Sequence, residues 1–183
     1  MPMGRTDLKE LLERLEPLDH VEEAHRSSFL RLLELPGDVT SREHYEPGHV
    51  TASAFVLSPD EARLLLIHHG KLHRWLQPGG HCETTDGSAE AAARREALEE
   101  TGVADLELLA APFDVDVHEI PARGASPAHL HFDVRFLFRA NNDALQSGSD
   151  ALAARWVKLD EVASLESDES VMRAVRKLRA ARA

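Results

Sequence analysis

Residues 79–103 read GGHCETTDGSAEAAARREALEETGV, and the fold and the chemistry both follow from this stretch. A glycine pair opens it, a polar loop follows, and an alanine-rich helical run ends at Gly102. On a helix, Glu96, Glu99 and Glu100 fall at i, i+3 and i+4, so their carboxylates share one face. Unpaired, they would repel one another. Arg95 lies four positions before Glu99 and can orient it through a charge-assisted hydrogen bond. Clustered hard oxygen donors suit Mg²⁺ or Mn²⁺, and Mg²⁺ also takes phosphate oxygens. Asp86 and Ser88 are placed to accept from free backbone N–H groups at the helix start. Thr101 should end the helix, with Gly102 taking the left-handed conformation beyond it.

Outward from this stretch, Trp75-Leu76-Gln77-Pro78 leads into the glycines. Upstream, residues 49–58 (HVTASAFVLS) and 62–69 (ARLLLIHH) read as a β-hairpin turning at Ser58-Pro59-Asp60 and broken at Gly70-Lys71. Downstream, residues 113–118 carry polar side chains on even numbers, and residues 129–136 carry them on odd numbers. Each is a period-two strand with one apolar and one polar face. If the two pair, Asp114, Asp116 and His118 lie beside His129, His131, Asp133 and Arg135. That face is either a water-facing sheet surface or the lining of a substrate cleft. The same His and Asp residues also have the chemistry of a transition-metal site.

A polar loop over 141–150 precedes a short strand at 154–159 bearing Trp156, a short helix after Asp160-Glu161, and a terminal helix opened by Asp168 or Ser170. Trp75 and Trp156 read as packing residues. Before the hairpin, residues 6–16 show the i, i+3, i+4, i+7 pattern in Leu8, Leu11, Leu12 and Leu15, with Thr6 or Asp7 as cap. A second helix over 20–35 has Val21, Ala24, Ser28, Leu32 and Leu35 along one stripe, with Phe29 and Leu33 beside it. The two make a helical hairpin, read as a packing or homodimer surface.

Composition bounds the rest. The chain has 183 residues and 43% hydrophobic content, enough for a real core. Aromatics at 5% predict a core made mostly of Leu, Val and Ala. A net charge of −11 argues against general nucleic-acid binding. Cys82 is the single cysteine, so no internal disulfide forms. No apolar run suits a signal peptide or a membrane span, and a cytoplasmic setting is expected.

The stretch resembles the Nudix box, G-x5-E-x7-R-E-U-x-E-E-x-G-U with U apolar. The match is complete from Arg95 to Val103, with the small Ala97 at one apolar position. The aromatic-x-x-Pro-Gly-Gly lead-in is common in the same family. Two departures stand out. Asp86 occupies the place of the loop glutamate, and eight residues rather than seven separate it from Arg95.

The resemblance implies an α/β (α+β) fold: an α/β/α sandwich with a mixed sheet over 46–183, with the helical hairpin of 1–45 as an N-terminal extension. It implies divalent ions, Mg²⁺ first and Mn²⁺ second, held by Glu96, Glu99, Glu100 and the carbonyl of Gly79. The implied reaction is attack of water on a diphosphate linkage of a small-molecule substrate, a nucleoside diphosphate joined to another group. Glu99 or Glu100 leads as general base, supported by Arg95, with a carboxylate outside the box as rival. His81, His118, His131, Asp133 and Arg135 are expected to contact substrate or metal. The alternative is a Nudix-fold sensor that binds a nucleotide without hydrolysing it.

Overall fold

The computed structural model describes residues 3–70, 73–146 and 151–181, without the side chains of Ala151 and Leu152. The expected break at Lys71 and the end of the 141–150 loop lie outside the described residues. In chain order the elements are α1 (Arg5–Glu13), α2 (His20–Leu33), β1 (Gly48–Leu57), β2 (Arg63–His69), β3 (Arg74–Leu76), β4 (Gly79–His81), α3 (Ala89–Thr101), β5 (Leu106–Ile120), β6 (His129–Ala140), β7 (Ala151–Lys158), a 3-10 turn (Val162–Ser164) and α4 (Glu169–Ala180). Among the described residues this is a mixed α+β fold. Its seven-stranded sheet runs β3-β2-β1-β6-β5, with β4 also paired to β1 and β7 to β2. No described helix is long and apolar enough to cross a membrane. The chain divides into two compact units, one of Met1–Ser53, Gly79–Ala93 and Ala111–Phe136, the other of Ala54–Pro78, Arg94–Ala110 and Leu137–Ala183.

In the first unit, α1 starts at Gly4 rather than at a Thr6 or Asp7 cap. Leu8 and Leu12 on it, and Leu15 just beyond, are buried. Helix α2 starts where Asp19 accepts from the backbone N–H groups of Val21 and Glu22. Its buried face keeps Leu32 of the expected stripe with Phe29 and Leu33 beside it, but is turned away from Val21, Ala24 and Leu35. Val21 and Leu35 are exposed, and the interior takes Glu22, Phe29, Leu32 and Leu33. Two local facts account for the rotation. Glu22 reaches back to accept from the Leu18 N–H at 2.6 Å, and Phe29 meets Phe132 edge-on at 5.6 Å.

The first part of β1 pairs antiparallel with β4, setting Thr51 opposite His81, Ala52 opposite Gly80 and Ser53 opposite Gly79. Both β4 and the equally short β3 have three residues, too few to show a period, so the lead-in motif carries no strand signal.

In the second unit, β2 is flanked by β7, with Leu65 opposite Trp156, and by β3, with His68 opposite Trp75. The β1–β2 turn closes as expected, with Arg63 N–H donating to Ser58 Oγ at 3.0 Å. Trp156 Nε1 donates to the Asp143 carbonyl at 2.9 Å, and the Arg155 guanidinium lies 4.1 Å over the Trp75 ring. Asp168 caps α4 by accepting from Val171 N–H. The helix buries Val171, Ala174, Val175 and Leu178 along one stripe.

Leu, Val and Ala make up most of the core, as the composition implied, and five of the six phenylalanines, Phe29, Phe55, Phe132, Phe136 and Phe138, are buried with them. The polar face of β5 and β6 is not water-facing: Asp114, Asp116, Asp133 and Arg135 are at most 6% exposed. The alternation was real, but both faces are covered over residues 114–116 and 132–138, while His118 stays exposed.

Candidate functional site

Helix α3 carries the acidic cluster. Glu96 and Glu99 are held side by side by one guanidinium nitrogen: Arg95 Nη1 donates to Glu96 Oε1 at 2.8 Å and to Glu99 Oε2 at 3.1 Å. The Glu99 side chain is half-exposed, whereas Glu100 is buried. On the same side of the helix, at three- and four-residue spacings from these glutamates, Ala92, Ala93 and Ala97 are buried, as is Ala89 one turn earlier. Methyl groups on that side let the helix backbone lie close to whatever covers it, which suits a small residue at position 97. At the helix end Gly102 takes a positive φ of 75°, as expected, and its N–H returns to the Leu98 carbonyl at 2.8 Å. Three carboxylates on one helix face offer hard oxygen donors of the kind a divalent ion takes.

The loop half of the stretch belongs to the first unit. Asp86 lies in the loop before α3. It closes a turn within the loop, with Glu83 N–H donating to its Oδ2 at 2.7 Å and its own N–H donating to the Glu83 carbonyl at 3.0 Å. The cap falls to Ser88, whose Oγ accepts from Ala91 N–H at 3.1 Å. The extra residue therefore sits beside a self-contained turn, and the helix it precedes keeps its start. Gly79 must be glycine for packing reasons: a Cβ there would lie 2.1 Å from Ser53 Oγ.

Arg135, Asp133, Asp114 and Asp116 form one buried cluster. Arg135 Nε donates to Asp133 Oδ2 at 2.8 Å, Nη1 to Asp114 Oδ1 at 3.2 Å, and Nη2 lies 3.5 Å from Asp116 Oδ2. Burial works to lower the Arg135 pKa, but the charges of Asp116, Asp133 and Asp114 outweigh it and hold the pKa above its usual value. Asp133 also accepts from Thr51 Oγ1 at 3.0 Å and Ser53 Oγ at 2.8 Å. Asp116 is met by His25 Nδ1 at 3.3 Å and His118 Nδ1 at 3.0 Å. The guanidinium of Arg135 is thus turned onto carboxylates of its own unit.

The histidines of the same unit gather around His49, which the sequence reading passed over. The His49 ring centroid is 5.0 Å from that of His129, 4.8 Å from that of His131 and 5.1 Å from that of His81. His81 is 5.1 Å and His118 5.6 Å from His131, and Tyr45 packs edge-on against His129 at 5.1 Å. Burial, with the neighbouring imidazoles adding to it, lowers the pKa of His49 to about 4 and that of His131 to about 2. His81, His118 and His131 are therefore brought together. The missed members, His49, Thr51 and Ser53, occupy alternate positions of HVTAS, so period two was the signal that could have found them.

Residues 47–178 match the family model described as NUDIX domain. A search of curated proteins finds no significant match. Among solved structures, the binary complex of an Ap4A hydrolase from C. elegans superposes with TM-score 0.58 at 20% identity, covering 72% of this chain and 95% of that one. The NUDIX domain of Shewanella oneidensis NrtR, complexed with ADP ribose, gives TM-score 0.57 at 18% identity over 95% of this chain and 97% of that one. The dihydroneopterin triphosphate pyrophosphohydrolase of E. coli gives 0.57 at 19% identity over 70% and 92%. At such identities the likeness is one of fold. The family model, spanning most of the chain and including the helix that bears Glu96, Glu99 and Glu100, goes further: this chain belongs to the NUDIX family.

Proposed function

We propose that the protein hydrolyses a diphosphate linkage in a small molecule, a nucleoside diphosphate joined to a second group, with Mg²⁺ or Mn²⁺ as cofactor. The observation that carries this reading is the shared Arg95 nitrogen, which fixes the Glu96 and Glu99 carboxylates next to each other on α3. Glu96, Glu99 and Glu100 would hold the metal. When bound, the ion lowers the pKa of a water and neutralises charge developing on the phosphoryl oxygens. Glu99 or Glu100 takes the water proton. The water oxygen forms a bond to phosphorus, the bridging P–O bond breaks, and the bridging oxygen leaves on the second phosphate. Half-exposed Glu99 is open to solvent and so is the first choice as base. His118, with its side chain 44% exposed, is the strand histidine best placed to meet a substrate. Asp133 and Arg135 act as positioning residues for that face.

A phosphate-release assay with Mg²⁺ or Mn²⁺ tests the proposal on a panel of ADP-ribose, dinucleoside polyphosphates, nucleotide sugars, oxidised nucleoside triphosphates and non-nucleotide diphosphates. Turnover of at least one compound, reduced by on the order of 10²–10⁴ in Glu99→Gln or Glu100→Gln, is expected. Tight nucleotide binding with no turnover of any compound would replace the hydrolase with the sensor.

A further inference from the structure

The histidine cluster of the first unit has a composition that packing alone does not explain. His49, His129 and His131 each offer a ring nitrogen, and these nitrogens lie within 4.8 Å of one another. His49 is 1% exposed, and its Nε2 has no hydrogen-bond partner. A buried, unsatisfied acceptor is costly unless something fills the place before it.

The other nitrogens explain what that something is. His49 Nδ1 lies 3.2 Å from the His44 carbonyl, and His129 Nδ1 lies 2.8 Å from the Pro127 carbonyl. A carbonyl oxygen only accepts, so each Nδ1 carries the hydrogen. Each Nε2 is then left with its lone pair. A histidine that donates its far N–H to a backbone carbonyl is the usual arrangement of a metal ligand, fixing both tautomer and ring orientation. The strand geometry agrees. His129 and His131 are two apart on β6 and so project from one face, and His49 comes from β1.

We propose that His49, His129 and His131 bind a transition-metal ion of the zinc type, with His81 flanking the site. Three neutral imidazoles suit Zn²⁺, Co²⁺ or Ni²⁺ far better than Mg²⁺, which takes oxygen. Three protein ligands also leave one position open for water or an anion. A tetrahedral ion with Zn–N of about 2.0–2.1 Å sets its nitrogens about 3.3 Å apart, so the rings close inward by about an ångström on binding. An anion in the same place would need N–H donors directed at it, and the Nδ1 hydrogens are already given to carbonyls. The bound ion would tie the start of β1 to the start of β6. This site does not depend on the hydrolase reading, because its donors are imidazoles and not the α3 carboxylates.

The test uses the untagged full chain, stripped with a chelator and titrated with Co²⁺ and Zn²⁺ in excess Mg²⁺. One ion per chain is expected, with the visible absorption of four-coordinate Co²⁺ lacking a thiolate band, and with a Zn²⁺-dependent rise in Tm. Affinity should fall by more than about 100-fold in His49→Gln and His129→Gln and be unchanged in His73→Gln and Glu99→Gln. Should a variant fail to fold, nitrogen-15 NMR of the wild-type imidazoles decides: Zn²⁺ must shift Nε2 of His49 and His129 while Nδ1 stays protonated. No stoichiometric binding in Mg²⁺, unmoved Nε2 resonances, or loss of the ion in Glu99→Gln would each overturn the proposal. The last would place the metal on the α3 carboxylates and leave the hydrolase reading intact.

Discussion

Arg135 Nε donates to Asp133 Oδ2 at 2.8 Å, two positions back on the same strand, while its Nη1 and Nη2 reach Asp114 and Asp116 on the neighbouring strand. One cation therefore answers three buried carboxylates. Removing it leaves them facing one another out of water, which is the costly way to break a buried pair. Arg135→Met should lower unfolding free energy by about 3–5 kcal/mol, read from the urea midpoint. Asp114→Asn leaves the guanidinium on two carboxylates and should cost clearly less. Equal costs would show that the cluster is not organised by Arg135.

Arg95 contributes in a different way, because its two hydrogen bonds leave from a single nitrogen. Arg95→Ala frees Glu96 and Glu99 to splay apart while the buried alanines of α3 keep the helix in place. Hydrolysis should fall by about 10- to 100-fold, with most of the loss recovered at high Mg²⁺, since misplaced ligands weaken the ion before they alter the chemistry. A plot of rate against metal concentration checks this. A loss that no metal concentration recovers would assign Arg95 a role in the transition state instead.

The carboxylate cluster of α3 was legible because its geometry is local. Glu96, Glu99 and Glu100 share a face by helical spacing alone, and the stop at Gly102 follows from one glycine. The cap at Asp168 and the β1–β2 turn at Ser58 were readable for the same reason. What escaped was set by residues distant in sequence. Period two told that Asp114, Asp116, Asp133 and Arg135 share faces, but not that those faces are covered. His49 sits far in sequence from His129 and His131, so no window contains all three. On α2, Glu22 reaching back to Leu18 rotated the buried face in a way no hydrophobic pattern signals. Asp86 accepts from the Glu83 N–H three residues back, a turn within the loop that its residue type alone does not signal.

Gly79 provides a packing test. Its missing side chain is what lets β4 lie against Ser53, with Ser53 Oγ 2.1 Å, Cβ 2.7 Å and Cα 2.9 Å from where a Cβ would sit. Gly79→Ala should shift the β1–β4 pairing and loosen the Ser53–Asp133 hydrogen bonds, costing about 1–3 kcal/mol as overpacking. Pairing it with Ser53→Ala should recover little, because the Ser53 Cβ and Cα remain too close. Thermal melts of the two variants decide it. Full recovery in the double variant would mean that the hydroxyl alone was the obstacle.

The buried imidazoles give the metal-free protein a predictable response to acid. Burial lowers the pKa of His49 from 6.5 to about 4 and that of His131 from 6.5 to about 2, so the unfolded chain binds protons in this range that the folded chain does not. Stability from these rings is complete above the unfolded value of 6.5 and drains away as pH falls through the folded values. In EDTA the urea midpoint should be flat from about pH 8 to about pH 7 and then decline steadily toward about pH 4.5. His49→Gln removes one of the two groups and should flatten that decline relative to wild type, even if it lowers the plateau. A variant that loses stability in acid as steeply as wild type would show that His49 takes up its proton in the folded state without penalty.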